Sequence, residues 1–276
     1  MSTTKIIAEV PGAVPIGRER GTYVVPNDWN GARRRLRALE QCFDATTARR
    51  LEATGVGPGW RCLEVGAGAG SIARWLGQRV GPTGQVVAVD IDTRFLEELD
   101  DLNTEVRRQD VVDQPVSPGE YDLVHARALL MHLPARDAVL ADLIAAVRPG
   151  GWLVVEEADF FSTVLARSGV YHEIFGWVTR VFASAGLATE WARRLPALFA
   201  SAGFHDVVAD AEIPFYAGGG SAGAEFMALS LMQLRDAMLA GGCPEEDFDH
   251  CLALLQDPAE WFPHLALIGA SGRRSH

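Results

Sequence analysis

Cysteine is scarce in this chain, and cationic residues are outnumbered. The 276 residues hold four cysteines (Cys42, Cys62, Cys243 and Cys251), with no C-x-x-C pair and no metal-ligand spacing. No metal is therefore expected, and the thiols read as buried groups in a reducing compartment. Lys and Arg number 25 against 36 Asp and Glu, a formal net charge of -11. Phosphate backbones repel such a chain at long range, which argues against a nucleic-acid partner. No apolar run approaches the ~20 residues that span a bilayer. The opening MSTTKIIAEVPGAVPIG has no basic stretch followed by a long apolar one. The expectation is a cytoplasmic protein with no membrane partner. What the chain does contain is 48% hydrophobic residues, with seven Trp and twelve Phe, enough apolar surface for a large core. At ~150 residues per domain, one core with an appended part is the default.

Residues 1–27 are rich in Gly and Pro and read as an arm. From Asp28, a candidate N-cap, Leu36, Leu39, Phe43 and Leu51 recur at near-helical spacing up to the Gly-Pro-Gly turn at 57–59. Short apolar runs then alternate with amphipathic stretches. Strands are expected over Arg61–Val65, Gln85–Asp90, Glu105–Gln109, Tyr121–Ala126 and Trp152–Ala158, and helices over Ser71–Val80, Thr93–Leu102 and Ala135–Val147. Apolar strands separated by helices indicate a parallel sheet covered on both faces, hence an α/β doubly wound domain up to about residue 160. Beyond it, Val170, Ile174, Trp177, Val178, Val181 and Phe182 mark a helix. Trp191–Ala202, Gly223–Ala240 and Pro244–Leu255 read as further helices, Asp206–Tyr216 as a strand before a triple-glycine turn, and Leu265–Ala270 as a last strand. Three regions follow: 1–57 covering the site, a ligand-binding core at 58–160, and a helical lid with the last strands at 161–276.

The stretch Leu63-Glu64-Val65-Gly66-Ala67-Gly68-Ala69-Gly70 lies between an expected strand and helix. Alternate glycines let the backbone turn tightly and approach a ligand, although a merely tight strand-to-helix turn would use them too. The second strand ends at Asp90, whose carboxylate can accept both hydroxyls of a ribose. Asp92 and Thr93 are available to cap the next helix, which leaves Asp90 for a ligand. Asp110 ends the third strand, where it either meets an adenine amino group or is a solvated loop acid. A dinucleotide would require G-x-G-x-x-G, but Ser71 stands where the third glycine belongs, and Glu64 is unhelpful beside a diphosphate. Acids at 64, 90 and 110 suit the amino acid, ribose and adenine of S-adenosylmethionine.

These motifs, together with Val89-Asp90-Ile91-Asp92, Gln109-Asp110-Val111, Tyr121-Asp122-Leu123-Val124-His125-Ala126 and Arg148-Pro149-Gly150-Gly151, resemble the class I S-adenosylmethionine-dependent methyltransferases over about residues 58–160. The resemblance implies a Rossmann-like, mostly parallel seven-stranded sheet with an antiparallel last strand. It implies Glu64, Gly66, Ala67, Gly68 and Gly70 around the methionine part, Asp90 on the ribose, Ile91 against the adenine, and Asp110 with Val111 at its amino edge. Ala126 and Arg127 would stand beside the methyl-bearing end, with Tyr23 closing over the cofactor from the arm.

No Asp/Asn-Pro-Pro-aromatic motif follows the fourth strand and no Pro-Cys pair is present, which argues against base methylation and leaves small molecules. Methyl transfer from a sulfonium is an in-line displacement that rests on alignment and water exclusion. A base is needed only if the acceptor must lose a proton. His132 is the candidate, placed where the chain leaves the fourth strand, although for this position alone the favoured reading is that it caps or orients the next helix. Met131 borders the methyl group or fills space under the sheet edge. Phe160, Phe161, His172, Phe175 and Trp177, with Phe226, Met227, Leu231 and Met232, are candidate walls of an acceptor pocket. The leading expectation is O-methylation of a small, partly hydrophobic metabolite. The competing readings are a protein that binds S-adenosylmethionine but uses it for a different reaction, and a nicotinamide-dependent oxidoreductase, disfavoured by Ser71 and Glu64. A homodimer is compatible with the sequence and no pattern argues for it.

Overall fold

The computed structural model describes residues 29–96, 99 and 103–275. The expected arm with Tyr23, the expected N-cap Asp28, and residues 97, 98 and 100–102 of the expected Thr93–Leu102 helix lie outside them. Helix α1 spans Ala32–Ala53 and takes Gly31 as its N-cap. The alternation read from the sequence then becomes β1 (Arg61–Val65), α2 (Ser71–Val80), β2 (Gln85–Asp90), β3 (Thr104–Arg108), β4 (Tyr121–Arg127), α3 (Arg136–Ala146) and β5 (Val147–Asp159). Between β2 and β3 the segment Thr93–Phe95 is a 3-10 turn capped by Asp92, which accepts from the Arg94 N–H.

Seven strands form one sheet in the order β3-β2-β1-β4-β5-β9-β6. β1 to β5 are parallel, and β9 (Ala266–Arg274) runs antiparallel between β5 and β6 (Phe204–Glu212). Alternate residues serve opposite faces. Leu63, Val65, Val87, Val89, Val124 and Val155 belong to one apolar cluster, and Cys62, Val86, Ala88, Leu123 and Val154 to another beneath α2. The strand expected over Asp206–Tyr216 is two. Pro214, with no N–H for a ladder, separates β6 from β7 (Phe215–Ala217), which pairs with β8 (Trp261–Pro263). The helix expected over Trp191–Ala202 begins as a 3-10 turn, Trp191–Arg194, before α5 (Leu195–Ser201).

After β5 the chain builds a helical cover. Helices α4 (Gly169–Ser184), α6 (Ala222–Ala240) and α7 (Glu245–Gln256) pack on one another, and α6 packs on α1. Their shared core holds Phe160, Tyr171, Ile174, Phe182, Leu234 and Phe248. Among the described residues no helix is long and apolar enough to cross a membrane, and the four cysteines are buried and unpaired.

Candidate active site

In open parallel sheets, ligands bind outside the carboxyl ends of the strands where the strand order reverses. Here β1 lies between β2 and β4, and a cleft of about 240 Å3 opens there. Gly66, Gly68 and Gly70 all have positive φ, at 76°, 57° and 89°. At Gly68 the left-handed backbone lines the cleft, and a Cβ there would make only ordinary contact with Leu36 at 3.8 Å. Gly70 serves a different purpose. A Cβ there would lie 3.0 Å from Leu99 and 3.1 Å from Leu96, so it lets α2 close onto the next segment and does not line the cleft.

Most of the N–H groups that would make this loop a phosphate cradle already have partners. Gly66 and Ala67 both donate to the Val89 carbonyl, at 2.8 and 3.1 Å, and Gly70 donates to the Ala67 carbonyl. Gly68 donates to Asp90 Oδ2 at 2.9 Å. The Ser71 N–H, at the start of α2, donates to Glu40 Oε1 at 3.1 Å. A helix N-terminus attracts anions, and here an acid of α1 occupies that place. Four carboxylates line the cleft, from Glu40, Glu64, Asp90 and Asp110. The guanidinium among them, Arg127, donates to Asp44 and to Thr47 Oγ1, each at 2.9 Å. Burial pushes both Glu40 and Asp90 above the ordinary carboxylate range. The cleft thus favours a cation over a pyrophosphate.

Of the residues expected to contact a cofactor, Glu64, Gly66, Ala67, Gly68, Asp90, Ile91, Asp110, Val111 and Arg127 line the cleft. Ile91 is 57% exposed, an apolar side chain left on the cleft wall. Asp90 is not as free as its neighbours implied, because Oδ1 also accepts from the Asp92 N–H at 2.9 Å. Asp110 likewise accepts from the Val112 N–H. Ala126 does not reach the cleft. It is fully buried under the sheet, since its position alternates with Arg127, which does.

Behind Glu64 the sheet carries a polar layer that was not anticipated. Glu64 and His125 are register partners on β1 and β4, and Glu156 stands on β5. The fully buried His125 ring lies 2.5 Å from Glu64 Oε2 through Nδ1 and 3.1 Å from Glu156 Oε2 through Nε2. Burial disfavours its charged form, but the two carboxylates outweigh that and hold the imidazole up at about 9. Burial also pushes on Glu156, yet His125 and Arg50 hold it down at about 2. Thr47 donates to Glu156 at 2.6 Å, and Arg50 ties Glu156 to Asp210 on β6. Asp44 also accepts from Ser71 Oγ at 3.0 Å. Glu40, Asp44 and Thr47 follow helical spacing, so α1 turns one polar stripe to the sheet, with Glu40 in the cleft wall.

A second cavity of about 90 Å3 adjoins the first. Leu36, Leu39, Ala128 and His132 line both. Most of the rest of its wall is apolar and aromatic, including Phe43, Phe160, Phe175, Phe182, Phe226 and Met227, with Arg35, Ser230 and His264 as its other polar members. Phe160, Phe175, Phe226, Met227 and Leu231, the candidates for an acceptor wall, line this cavity, and Met131 lines it too. Phe161 and Met232 point to solvent, 43% and 52% exposed, while His172 bonds Thr163 and Trp177 packs on the helical core. The loop between the cavities is pinned from below. Glu157 is fully buried and accepts from the N–H groups of Leu129, Leu130 and Met131, at 3.1, 2.6 and 3.3 Å. Burial raises its carboxyl to about 7 against those hydrogen bonds. Ala128, at φ 50°, turns the chain at the junction. His132 follows in a 3-10 turn, edge-on to Phe182 at 5.8 Å. Burial, and then the nearby Arg35 charge, push its imidazole down to about 3, so the ring is neutral.

Residues 63–155 match the family described as a methyltransferase domain. The methyltransferase str3 of Strobilurus tenacellus is 35% identical over 112 residues, 40% of this chain and 40% of that protein. The ubiquinone/menaquinone biosynthesis C-methyltransferase UbiE of Pseudomonas putida is 30% identical over 115 residues, 39% and 45% of the two chains. The matched segment spans less than half the length of either relative. Phosphoethanolamine N-methyltransferase 2 of Haemonchus contortus, solved with S-adenosyl-L-methionine, shares the fold at a TM-score of 0.58 and 16% identity, over 96% of this chain and 61% of that one. Residues 63–155 are thus similar to a methyltransferase domain, and the chain shares its fold with a solved methyltransferase that binds S-adenosyl-L-methionine.

Proposed function

We propose that this protein transfers a methyl group from S-adenosylmethionine to oxygen on a small, partly hydrophobic metabolite. The observation that carries the reading is the pairing of two unlike cavities across Ala128 and His132, one ringed by carboxylates and one by aromatic rings. When bound, the cofactor supplies an electrophilic methyl on a sulfonium. The residues of this chain fit its parts in turn. Glu64 and the turn at Gly66–Gly68 lie where an ammonium and sulfonium are stabilised by negative charge, Asp90 accepts ribose hydroxyls, and the exposed Ile91 with Val111 covers the adenine. Gly70 and Ala126 support this surface from behind it.

The aromatic cavity aligns the acceptor and excludes water, which accounts for most of what an in-line displacement requires. His132 is neutral at the junction, so it can accept a hydrogen bond from an acceptor hydroxyl and take its proton as the oxygen gains the methyl and becomes strongly acidic. The relatives include a C-methyltransferase. Oxygen is favoured here because His132, which lines both cavities, is uncharged and can accept a hydrogen bond from a hydroxyl. The acidic charge of the chain disfavours a nucleic-acid acceptor, and the four buried free thiols fit a reducing, cytoplasmic setting. Calorimetric titration with S-adenosylmethionine, S-adenosylhomocysteine and NAD tests the reading. Both sulfur ligands should bind more tightly than NAD, and tighter binding of NAD would overturn it.

A further inference from the structure

The aromatic cavity contains a charge with no counter-ion among the described residues. Arg35 lies on α1, next to the Leu36 that lines both cavities, and is 6% exposed. Its Nε and Nη2 are buried and have no hydrogen-bond partner among the described residues. These two nitrogens share one edge of the guanidinium, and their N–H groups run parallel toward whatever faces that edge. A carboxylate, with two oxygens at matching separation, is the natural occupant. No Asp or Glu lines this cavity. In the same wall His264 is 1% exposed and its Nε2 also lacks a partner, while Nδ1 lies 3.4 Å from the Leu265 carbonyl oxygen. Burial pushes its imidazole down to about 4, so it is neutral and adds no second positive charge beside Arg35.

Withdrawing a guanidinium from water without a counter-charge is among the least favourable arrangements in a protein interior. The arrangement is resolved if the ligand brings the anion. We propose that the acceptor is an apolar carboxylic acid, held by its carboxylate on the Nε–Nη2 edge of Arg35 with its body among Phe160, Phe175, Phe182 and Phe226. This assignment names the acceptor class of the methyltransferase reading and rests on that reading. A carboxylate at Arg35 also cancels the charge that opposes protonation of His132, which couples acceptor binding to the basicity of the group at the junction.

The test compares matched acids and amides on the full chain at pH 7, with S-adenosylhomocysteine present. The probes are 3-phenylpropanoate and 2-naphthoate against 3-phenylpropanamide and 2-naphthamide, titrated calorimetrically. Each acid should bind at least about 10-fold more tightly than its amide, the size expected for hydrogen bonds to a charged group. In Arg35→Met, which keeps the apolar stem and loses the fork, the preference should fall below about 2-fold with the thermal midpoint unchanged or raised. Equal binding of acids and amides by the wild type, no binding of any acid, or an acid preference that survives in Arg35→Met would each overturn the proposal. The wild-type comparison stands whether or not the variant folds. Binding of S-adenosylhomocysteine, measured in the same cell before the probes are added, separates the two claims: its loss overturns the methyltransferase reading, whereas intact binding without acid preference overturns only the Arg35 assignment.

Discussion

Replacing His125 with Gln removes the charge that links three strands while keeping a polar side chain of similar length. The ring is fully buried between Glu64 and Glu156, 2.5 Å from Glu64 Oε2 and 3.1 Å from Glu156 Oε2. Two routes give the size of the effect. Raising an imidazole from 6.5 to about 9 corresponds to about 3 kcal/mol at roughly 1.4 kcal/mol per pH unit. Breaking a buried ion pair by removing one partner typically costs about 3–5 kcal/mol. The sign follows from the direction of the shift. The folded state binds the proton more tightly than the unfolded one, so this stabilisation is complete below about pH 6.5 and is lost as the pH rises through about 9. Urea unfolding of both proteins at pH 7 and pH 10 measures it. We expect His125→Gln to be less stable by about 3 kcal/mol at pH 7, with less than half of that difference left at pH 10. A loss below about 1 kcal/mol at pH 7, or a difference that does not change with pH, would refute the charged-layer account.

Asp90→Ala should weaken S-adenosylmethionine binding by about 10-fold or more, because two charge-assisted hydrogen bonds to a ribose are lost; unchanged affinity in calorimetry would place the ribose elsewhere. His132→Ala should lower turnover about 100-fold or more at unchanged cofactor affinity if the imidazole takes the acceptor proton, and near-wild-type single-turnover rates would restrict it to a packing role beside Phe182. Gly70→Ala should destabilise by about 1–3 kcal/mol, since φ is 89° and the new Cβ meets Leu99 at 3.0 Å, and urea midpoints equal to wild type would show that the loop absorbs it.

The parts of this molecule legible in the sequence are those written in local pattern. The strand-turn-helix around Gly66–Gly70 and the strand ends at Asp90 and Asp110 follow from short-range rules of backbone geometry and alternation, and they are where they were expected. The polar layer was not legible because its members come from four places in the chain. His125 looks like one polar residue in an apolar strand until Glu64 and Glu156 are set beside it by sheet register. Glu40 and Asp44 look like an ordinary solvated helix face until α1 is docked over the start of α2. Arg35 belongs to the same category, since only the packing of α1 against α6 takes its guanidinium out of water. The separation of β6 from β7 was a misreading of a signal that was present, Pro214. The aromatic residues after β5 lie in the helical cover, but helical spacing alone could not tell Phe175, which lines the cavity, from Phe161, which does not.

The most direct measurement is a crystal structure of the full chain grown with S-adenosylhomocysteine. The account predicts the ribose on Asp90, the adenine against Ile91 and Val111, the amino-acid end over Gly66–Gly68 beside Glu64, and the sulfur facing Ala128 and His132. A nucleoside seated away from these residues, or a sulfur turned from the aromatic cavity, would contradict it.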